Sequence, residues 1–401
     1  METARIDISD PELYRSGNPV QEWARLRAES PVYWNERHDG SGFWSVMTYA
    51  PALAVYRNNE DFSSEYGMRL DSDPAAVEAC AGKILIVTDP PRHSQLRRVM
   101  NSAFGPRATA SLAEAMREII EPLVDEALEK GTVDFVGEIA AQLPAAIICE
   151  IMALPQSERH MLVGLTSRVF GASVDGSTGC PVDEIDKTAA SSEIFMFYDD
   201  LIHHRRKHLG DDVVSALLQG EIDGRKLTDE EIIRNCDGLL TGATETTRHA
   251  SSHGFLALIE NPDQWQRLKT GDAEVATAVE EILRYTSPAL HSLRMAKRDV
   301  LVGSQQVRAG EPVVVWNTSA NRDDAVFPDG DRFDVGRTIG RHLVFGIGEH
   351  FCIGAPLART ELTVLLRTLV DKVRTPELAG EIERLHSNFM WGLNYLPVAL
   401  S

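Results

Sequence analysis

Apolar residues along this chain recur mostly at three- and four-residue spacing, the period of helices with one buried face. The clearest run lies mid-chain. Thr228 is a good N-cap, Glu231 completes a capping box with it, and Asp229 and Glu230 put negative charge in the first turn. Apolar positions continue to Ile259, and Asn261-Pro262 stops the run. Roughly 30 residues of helix span about 45–50 Å, enough to cross the whole molecule. Further helices are expected just after Pro91, around Glu281 up to Ser287-Pro288, and from Pro356, where Leu357, Ala358, Leu362 and Leu365 keep helical spacing. Strand-like patches are short: Val32–Trp34, Phe43–Val46 and Val313–Trp316. The first two flank a polar, glycine-containing stretch and predict a small hairpin. Gly171–Gly179 reads as a mobile surface loop. The expected fold class is mainly α with a minor β region.

Charge and cysteine usage narrow the possible settings. A net charge of −20 argues against nucleic acid and anionic membranes as general partners. No segment has the apolar length of a membrane-spanning helix, and the first residues lack the basic and apolar regions of a signal peptide. No membrane anchor is therefore expected. Cys80, Cys149, Cys180, Cys236 and Cys352 are scattered and odd in number, which is no disulfide framework and fits a reducing cytoplasm. Length alone would suggest two or three domains, but no linker, repeat or low-complexity tract divides the chain.

The candidate chemistry starts at Cys352, in Phe345-Gly346-Ile347-Gly348-Glu349-His350-Phe351-Cys352-Ile353-Gly354. A helix follows it, and a thiol at a helix N-terminus faces free N–H groups and the positive end of the dipole, which favours thiolate. The glycines let backbone approach something flat and bulky. A lone cysteine in an apolar stretch can also be a small buried hydrophobe. The full pattern, F-G-x-G-x-H-x-C-x-G, resembles the haem-ligand loop of the cytochrome P450 family. That resemblance extends over nearly the whole chain. It implies one catalytic domain over residues 1–401, with haem b buried between the long central helix and the cysteine loop and helix, and the Cys352 thiolate as axial ligand.

Within the central helix, Leu239-Leu240-Thr241-Gly242-Ala243-Thr244-Glu245-Thr246-Thr247 breaks local rules. Glycine and threonines weaken a helix interior, and a glutamate interrupts apolar neighbours. Helical spacing puts Leu239, Gly242, Ala243 and Thr246 on one face. Gly242 and Ala243 would admit a flat ligand, with the Thr246 hydroxyl above the metal. The string resembles the family's oxygen-activation motif and implies that Glu245 and Thr246 deliver protons. Ala243 stands where a second glycine is usual. The plainer reading has Thr246 bonding back to its own helix and Glu245 pairing with a basic neighbour.

Three other groups fit the same resemblance. Glu281 and Arg284, at i,i+3, would ordinarily be a solvated pair. Here they resemble the family's internal E-x-x-R pair, joined by Arg337 and bracing the cysteine loop. His93 and Arg97, at i,i+4 on the helix after Pro91, together with Arg294 and His350, match propionate contacts. Phe345, Gly346 and Gly354 belong to the haem-binding loop. The substrate pocket is expected to draw on residues 63–83, 169–180, 239–244, 289–293 and 388–391. These contribute Leu239, Ala243, Leu290, His291, Leu293, Phe389, Met390 and Trp391, with one polar anchor at His291, Ser292 or Asn388.

The resemblance implies a soluble, bacterial-type, class-I-like monooxygenase, monomeric, fed by a ferredoxin and ferredoxin reductase that dock near Arg98, Arg107, Arg341 and Arg359. It would hydroxylate a largely apolar terpenoid, steroid, lipid or polyketide-like natural product. Other readings are oxidative coupling, peroxide-driven oxidation, or a catalytically silent partner protein.

Overall fold

The computed structural model describes residues 6–401 apart from 38, 106–107, 110–111, 156, 159–160, 163 and 166–183. The loop expected at Gly171–Gly179, pocket segment 169–180 and Arg107 therefore lie outside the described residues. The central helix runs Asp229–Glu260, 32 residues, with the Thr228–Glu231 capping box formed in both directions and Asn261 as C-cap. It packs against helices Gln142–Ile151, Glu184–Arg205, Val275–Thr286 and Ala355–Lys372. Nearly every residue from Thr247 to Leu258 is buried.

Such burial demands that each polar side chain find a partner. Hydroxyls solve this locally by donating to the carbonyl four residues back. Thr244 Oγ1 bonds Leu240 O at 3.0 Å, Ser251 Oγ bonds Thr247 O at 2.8 Å, and Ser252 Oγ bonds Arg248 O at 2.7 Å. Helical structure thus survives an unfavourable composition because packing surrounds it.

The largest sheet has five strands: β1 (Val32–Glu36), β2 (Gly42–Val46), β3 (Phe62–Ser63), β4 (His291–Ala296) and β5 (Pro312–Trp316). Their order is β1-β2-β5-β4-β3. β1 and β2 form the expected hairpin, with Trp34 opposite Trp44. β5 lies parallel to β2 and antiparallel to β4, with Val314 opposite Leu293. β4 was not expected. Its sequence, His291-Ser-Leu-Arg-Met-Ala296, has no clean alternation, and pairing with β5 and β3 creates it. One side of this sheet joins Tyr14, Trp23, Leu290, Trp316 and Trp391 in an aromatic cluster. Among the described residues, no helix is long and apolar enough to cross a membrane.

The crossing of the central helix over Val275–Thr286 is set by Gly254. A Cβ there would meet Ile282 Cγ2 at 2.5 Å. Alanine would gain about 1 kcal/mol of helix propensity, against about 1–3 kcal/mol for overpacking. Gly254→Ala is therefore expected to lower stability in denaturant unfolding. Adding Ile282→Ala should cost less than the sum of the two single changes.

Candidate active site

The cysteine loop is built by backbone geometry. Gly346 and Gly348 have φ of +64° and +79°. At Gly348 a Cβ would also lie 2.9 Å from Tyr56 O. The Cys352 N–H donates to Phe345 O at 2.8 Å and closes the loop. The helix Ala355–Lys372 begins immediately after it, with Gly354 as N-cap and Pro356 in the first turn. Burial pushes the Cys352 thiol up, while N–H groups of Gly354 and Ala355 and the charges of Arg97 and Arg359 pull the other way. The side chain is nonetheless exposed. Enclosure by protein together with accessible surface means that Cys352 faces an internal cavity.

Four basic side chains converge near this loop. The His93 and His350 rings lie 4.1 Å apart between centroids. His350 Nε2 is 3.2 Å from Ser64 Oγ. Arg97 Nη1 reaches Glu349 O at 3.5 Å, and Arg294 Nη1 donates to Leu293 O at 2.7 Å. Burial first, then the charges of Arg97 and Arg294 against the pull of Glu349 and Asp89, lowers His93 to about 4, and burial followed by Arg294, His93 and Arg97 pushes His350 down as well. His93 Nδ1 is buried without a partner. No carboxylate lies within ion-pair distance of any of the four among the described residues.

Behind the loop, Glu281 and Arg284 are fully buried. Arg284 Nε and Nη2 contact Glu281 Oε2 and Oε1 at 2.7 and 2.8 Å. Arg337 Nε reaches Glu281 Oε1 at 3.2 Å. The structure brings these three residues together, and Asn321 Oδ1 then accepts from Leu343 N at 2.7 Å, just before the cysteine loop.

On the central helix, Gly242 is exposed between the half-buried Thr241 and Ala243, and nothing lies within 4 Å of where its Cβ would be. Ala243 and Thr246 are half-buried beside it. Thr246 Oγ1 donates to Gly242 O at 2.7 Å, and Glu245 Oε2 lies 2.6 Å from Arg248 Nη2. Both contacts of the plainer reading are thus present. They leave the Thr246 oxygen's lone pairs as acceptors. Burial raises the Glu245 carboxyl, and Arg248 only partly opposes this.

The sequence model described as "Cytochrome P450" matches residues 183–383. Cytochrome P450 NovI of Streptomyces niveus is 37% identical over 401 residues, covering 100% of this chain and 97% of that relative. Linalool 8-monooxygenase of Pseudomonas putida is 35% identical, over 99% of each chain. The crystal structure of P450 OxyD, described as involved in the biosynthesis of vancomycin-type antibiotics, superposes with a TM-score of 0.89 at 36% identity, covering 99% of this chain and 100% of that one. This chain belongs to the cytochrome P450 family. It is a P450 monooxygenase, with haem b as cofactor and Cys352 as axial thiolate.

The residues present fit that cofactor. A P450 haem b needs a cysteine at a cavity, open space above a helix, and cations for two propionates. Cys352, Gly242 and the basic cluster meet these three needs. Two enclosed arginines without carboxylates would be costly unless an anion joined them.

Two of the expected P450 pocket residues require correction. Leu290 is fully buried in the aromatic cluster. His291 is fully buried too. Its Nε2 accepts from Leu70 N at 3.0 Å and its Nδ1 lies 3.1 Å from Asn388 O. Both ring nitrogens are committed to backbone, so His291 staples loops together and is no pocket anchor. Asn388 Nδ2 is also engaged, with Ser9 O and Asp71 Oδ2, both at 2.8 Å. Leu239, Leu293, Met390 and Trp391 keep a little accessible surface, and Phe389 is half-buried.

Sequence reasoning missed Arg248, although its i,i+3 spacing from Glu245 was a signal. It also missed Glu361, a carboxyl buried on the cysteine helix and pushed up by burial to about 8.

Glu280 ties this P450 frame together: Oε1 meets Arg359 Nε at 2.6 Å and Oε2 meets His342 Nε2 at 3.1 Å. Burial alone would raise its carboxyl, but the bonds from His342 and Arg359 outweigh it and bring it from 4.5 to about 2. A depressed carboxyl contributes stability above its unfolded pKa and loses it as pH falls toward the folded value. Glu280→Gln should therefore flatten the fall in unfolding free energy below pH 4.5, measured by denaturant titration down to the lowest pH at which the protein stays folded.

Proposed function

We propose that this P450 hydroxylates a largely apolar small molecule, in the range of terpenoids, steroids, lipids and polyketide-like natural products. Electrons would come from a separate ferredoxin and its reductase. The observation that carries this reading is the pairing of an open, thiol-bearing cavity at Cys352 with an intact acid and alcohol at Glu245 and Thr246. The names of the relatives, a linalool monooxygenase and an antibiotic-biosynthesis P450, support the substrate range. Alignment over 99–100% of the chain supports reading residues 1–401 as one catalytic domain.

Bound haem supplies the chemistry of reductive O₂ activation and C–H oxidation. The polypeptide's part is position and protons. Cys352 is held at the helix N-terminus by the closed loop. His93, Arg97, Arg294 and His350 would take the propionates. The Thr246 hydroxyl donates to Gly242 O, so its oxygen is oriented to accept a hydrogen bond from a ligand or water on the open side. Glu245, held by Arg248 and 3.6 Å from His249 Nε2, would hold and release protons one residue away.

Glu311, Asp331 and many other acids keep the surface negative, yet Arg117, Arg359, Arg367 and Lys372, with Glu121 and Asp371 among them, line one groove beside the cysteine helix. Arg98 and Arg341 are exposed as well, and these cations support docking of an acidic ferredoxin by weak, salt-sensitive contacts. Peroxide-driven oxidation is disfavoured by the intact Glu245–Thr246 pair. A silent partner protein is disfavoured by the intact Cys352 and Glu281–Arg284. Hydroxylation and oxidative coupling differ in product mass, by a gain of one oxygen against a loss of two hydrogens.

The reduced, carbon-monoxide-bound protein should show a Soret band strongly red-shifted from that of histidine-ligated haem, and Cys352→Ala should lose it. Thr246→Ala should divert electron consumption to hydrogen peroxide, read as peroxide formed per NADH consumed. Unchanged coupling would mean that protons arrive by another route.

A further inference from the structure

We propose that the substrate carries a protonated amine and that Asp237 receives it. This rests on the reading of the site as that of a P450 acting on a small, largely apolar molecule, and adds one cationic group to that molecule.

The first half of the central helix is covered by two other segments. Leu85 N donates to Asn235 Oδ1 at 3.0 Å, and Asn235 Nδ2 donates to Lys83 O at 2.8 Å. Helix Glu184–Arg205 contributes Tyr198, whose hydroxyl donates to Cys236 O at 3.5 Å. Cys236, Leu239, Leu240 and Thr244 are buried. One strip of the helix nevertheless keeps accessible surface: the i,i+4 row Gly238, Gly242 and Thr246, with Asp237 and Thr241 alongside it. At Gly238 the nearest atom to an added Cβ is Ile84 Cγ2 at 3.6 Å, and at Gly242 there is none within 4 Å. The strip carries the open space at Gly242 and Thr246 on toward Asp237.

Asp237 is half-buried, yet protein surrounds it closely enough for burial to raise its carboxyl to about 6 against the pull of Arg234. As at Cys352, a group enclosed by protein that keeps accessible surface faces internal space. At neutral pH this carboxyl is mainly ionised. Among the described residues no hydrogen bond or ion pair reaches it. Arg234, one turn earlier, is held by Glu230 Oε1 at 2.9 Å and by Cys80 Sγ at 3.0 Å. Lys83 is held by the same glutamate, also at 3.0 Å.

An enclosed carboxylate without a partner costs stability. A ligand ammonium offsets that cost with charge-assisted hydrogen bonds, and a net charge of −20 draws cations toward the protein. Along the helix axis Asp237 lies about 7–8 Å from Gly242 and about 13–14 Å from Thr246, at 1.5 Å per residue. A substrate held at Asp237 by its amine therefore presents carbon, not nitrogen, beside Thr246.

The test is a spin-state titration of the haem-loaded protein with decylamine and 1-decanol. The amine should bind about ten- to a hundredfold more tightly than the alcohol, the range of a charge-assisted hydrogen bond. The preference is read from the high-spin shift alone, because an amine bound to iron moves the spectrum the opposite way. Asp237→Asn should abolish that preference without weakening the alcohol, and Asp237→Glu should keep part of it. Since the fold leaves this carboxylate unpaired, Asp237→Asn should also be at least as stable as the parent protein in denaturant. Equal affinities, a preference that survives Asp237→Asn, an amine that binds only through iron, or a loss of stability in Asp237→Asn would overturn the inference. Failure of the P450 reading itself would show separately, as loss of the red-shifted carbon-monoxide band in the same sample.

Discussion

The cysteine side of this molecule depends on one buried ion pair, Glu281 with Arg284. Taking two charges out of water costs several kcal/mol per ion, and only complete pairing offsets it. Completion here reaches far along the chain. Arg284 also donates to the carbonyls of Asn321, Gly330 and Arg332. Glu281 also accepts from Arg337 and from the Asp334 N–H at 2.9 Å. Residues 321 to 337 therefore cannot move without stranding a charge. Asn321 passes the constraint on, bonding Ser287 Oγ and the Leu343 N–H. Two residues after Leu343 the cysteine loop begins. The chain leading into Cys352 is thus tied to the charges of Glu281 and Arg284, about seventy residues earlier in sequence.

The central helix meets a different demand. It must be buried along most of its length and still present polar groups to one cavity. Back-bonded hydroxyls at Thr244, Ser251 and Ser252 hide their polarity inside the helix. Thr246 does the same with its proton but sits where Gly242 and Ala243 leave room, so its oxygen remains available. Glu245 turns away, to Arg248 and the buried His249. One short stretch separates a half-buried hydroxyl beside Gly242 from an acid anchored in the protein, the arrangement that the proposed proton delivery would use.

What was legible in the sequence was local. A capping box, a loop with fixed glycines around a cysteine, and an i,i+3 charge pair each carry their geometry within about ten residues, so spacing alone reveals them. β4 was not legible, because its strand state comes from β5 and β3 rather than from its own pattern. His291 misled for a related reason. A histidine between apolar residues beside a pocket reads as an anchor, and only the fold shows Leu70 and Asn388 occupying both ring nitrogens. Leu290 reads as pocket lining for the same reason, while the pleat turns it into the Trp23 and Trp316 cluster.

Charge distribution connects these points. The chain is strongly acidic overall, yet the enclosed groups around its cysteine loop are basic. Burial lowers the proton affinity of His93, Arg97, Arg294 and His350, and among the described residues none of the four forms an ion pair with a carboxylate. A polypeptide with 60 acidic residues does not lack carboxylates to place there, so positive charge left facing a cavity is matched by something the chain does not encode. The two propionates of haem would answer that cluster.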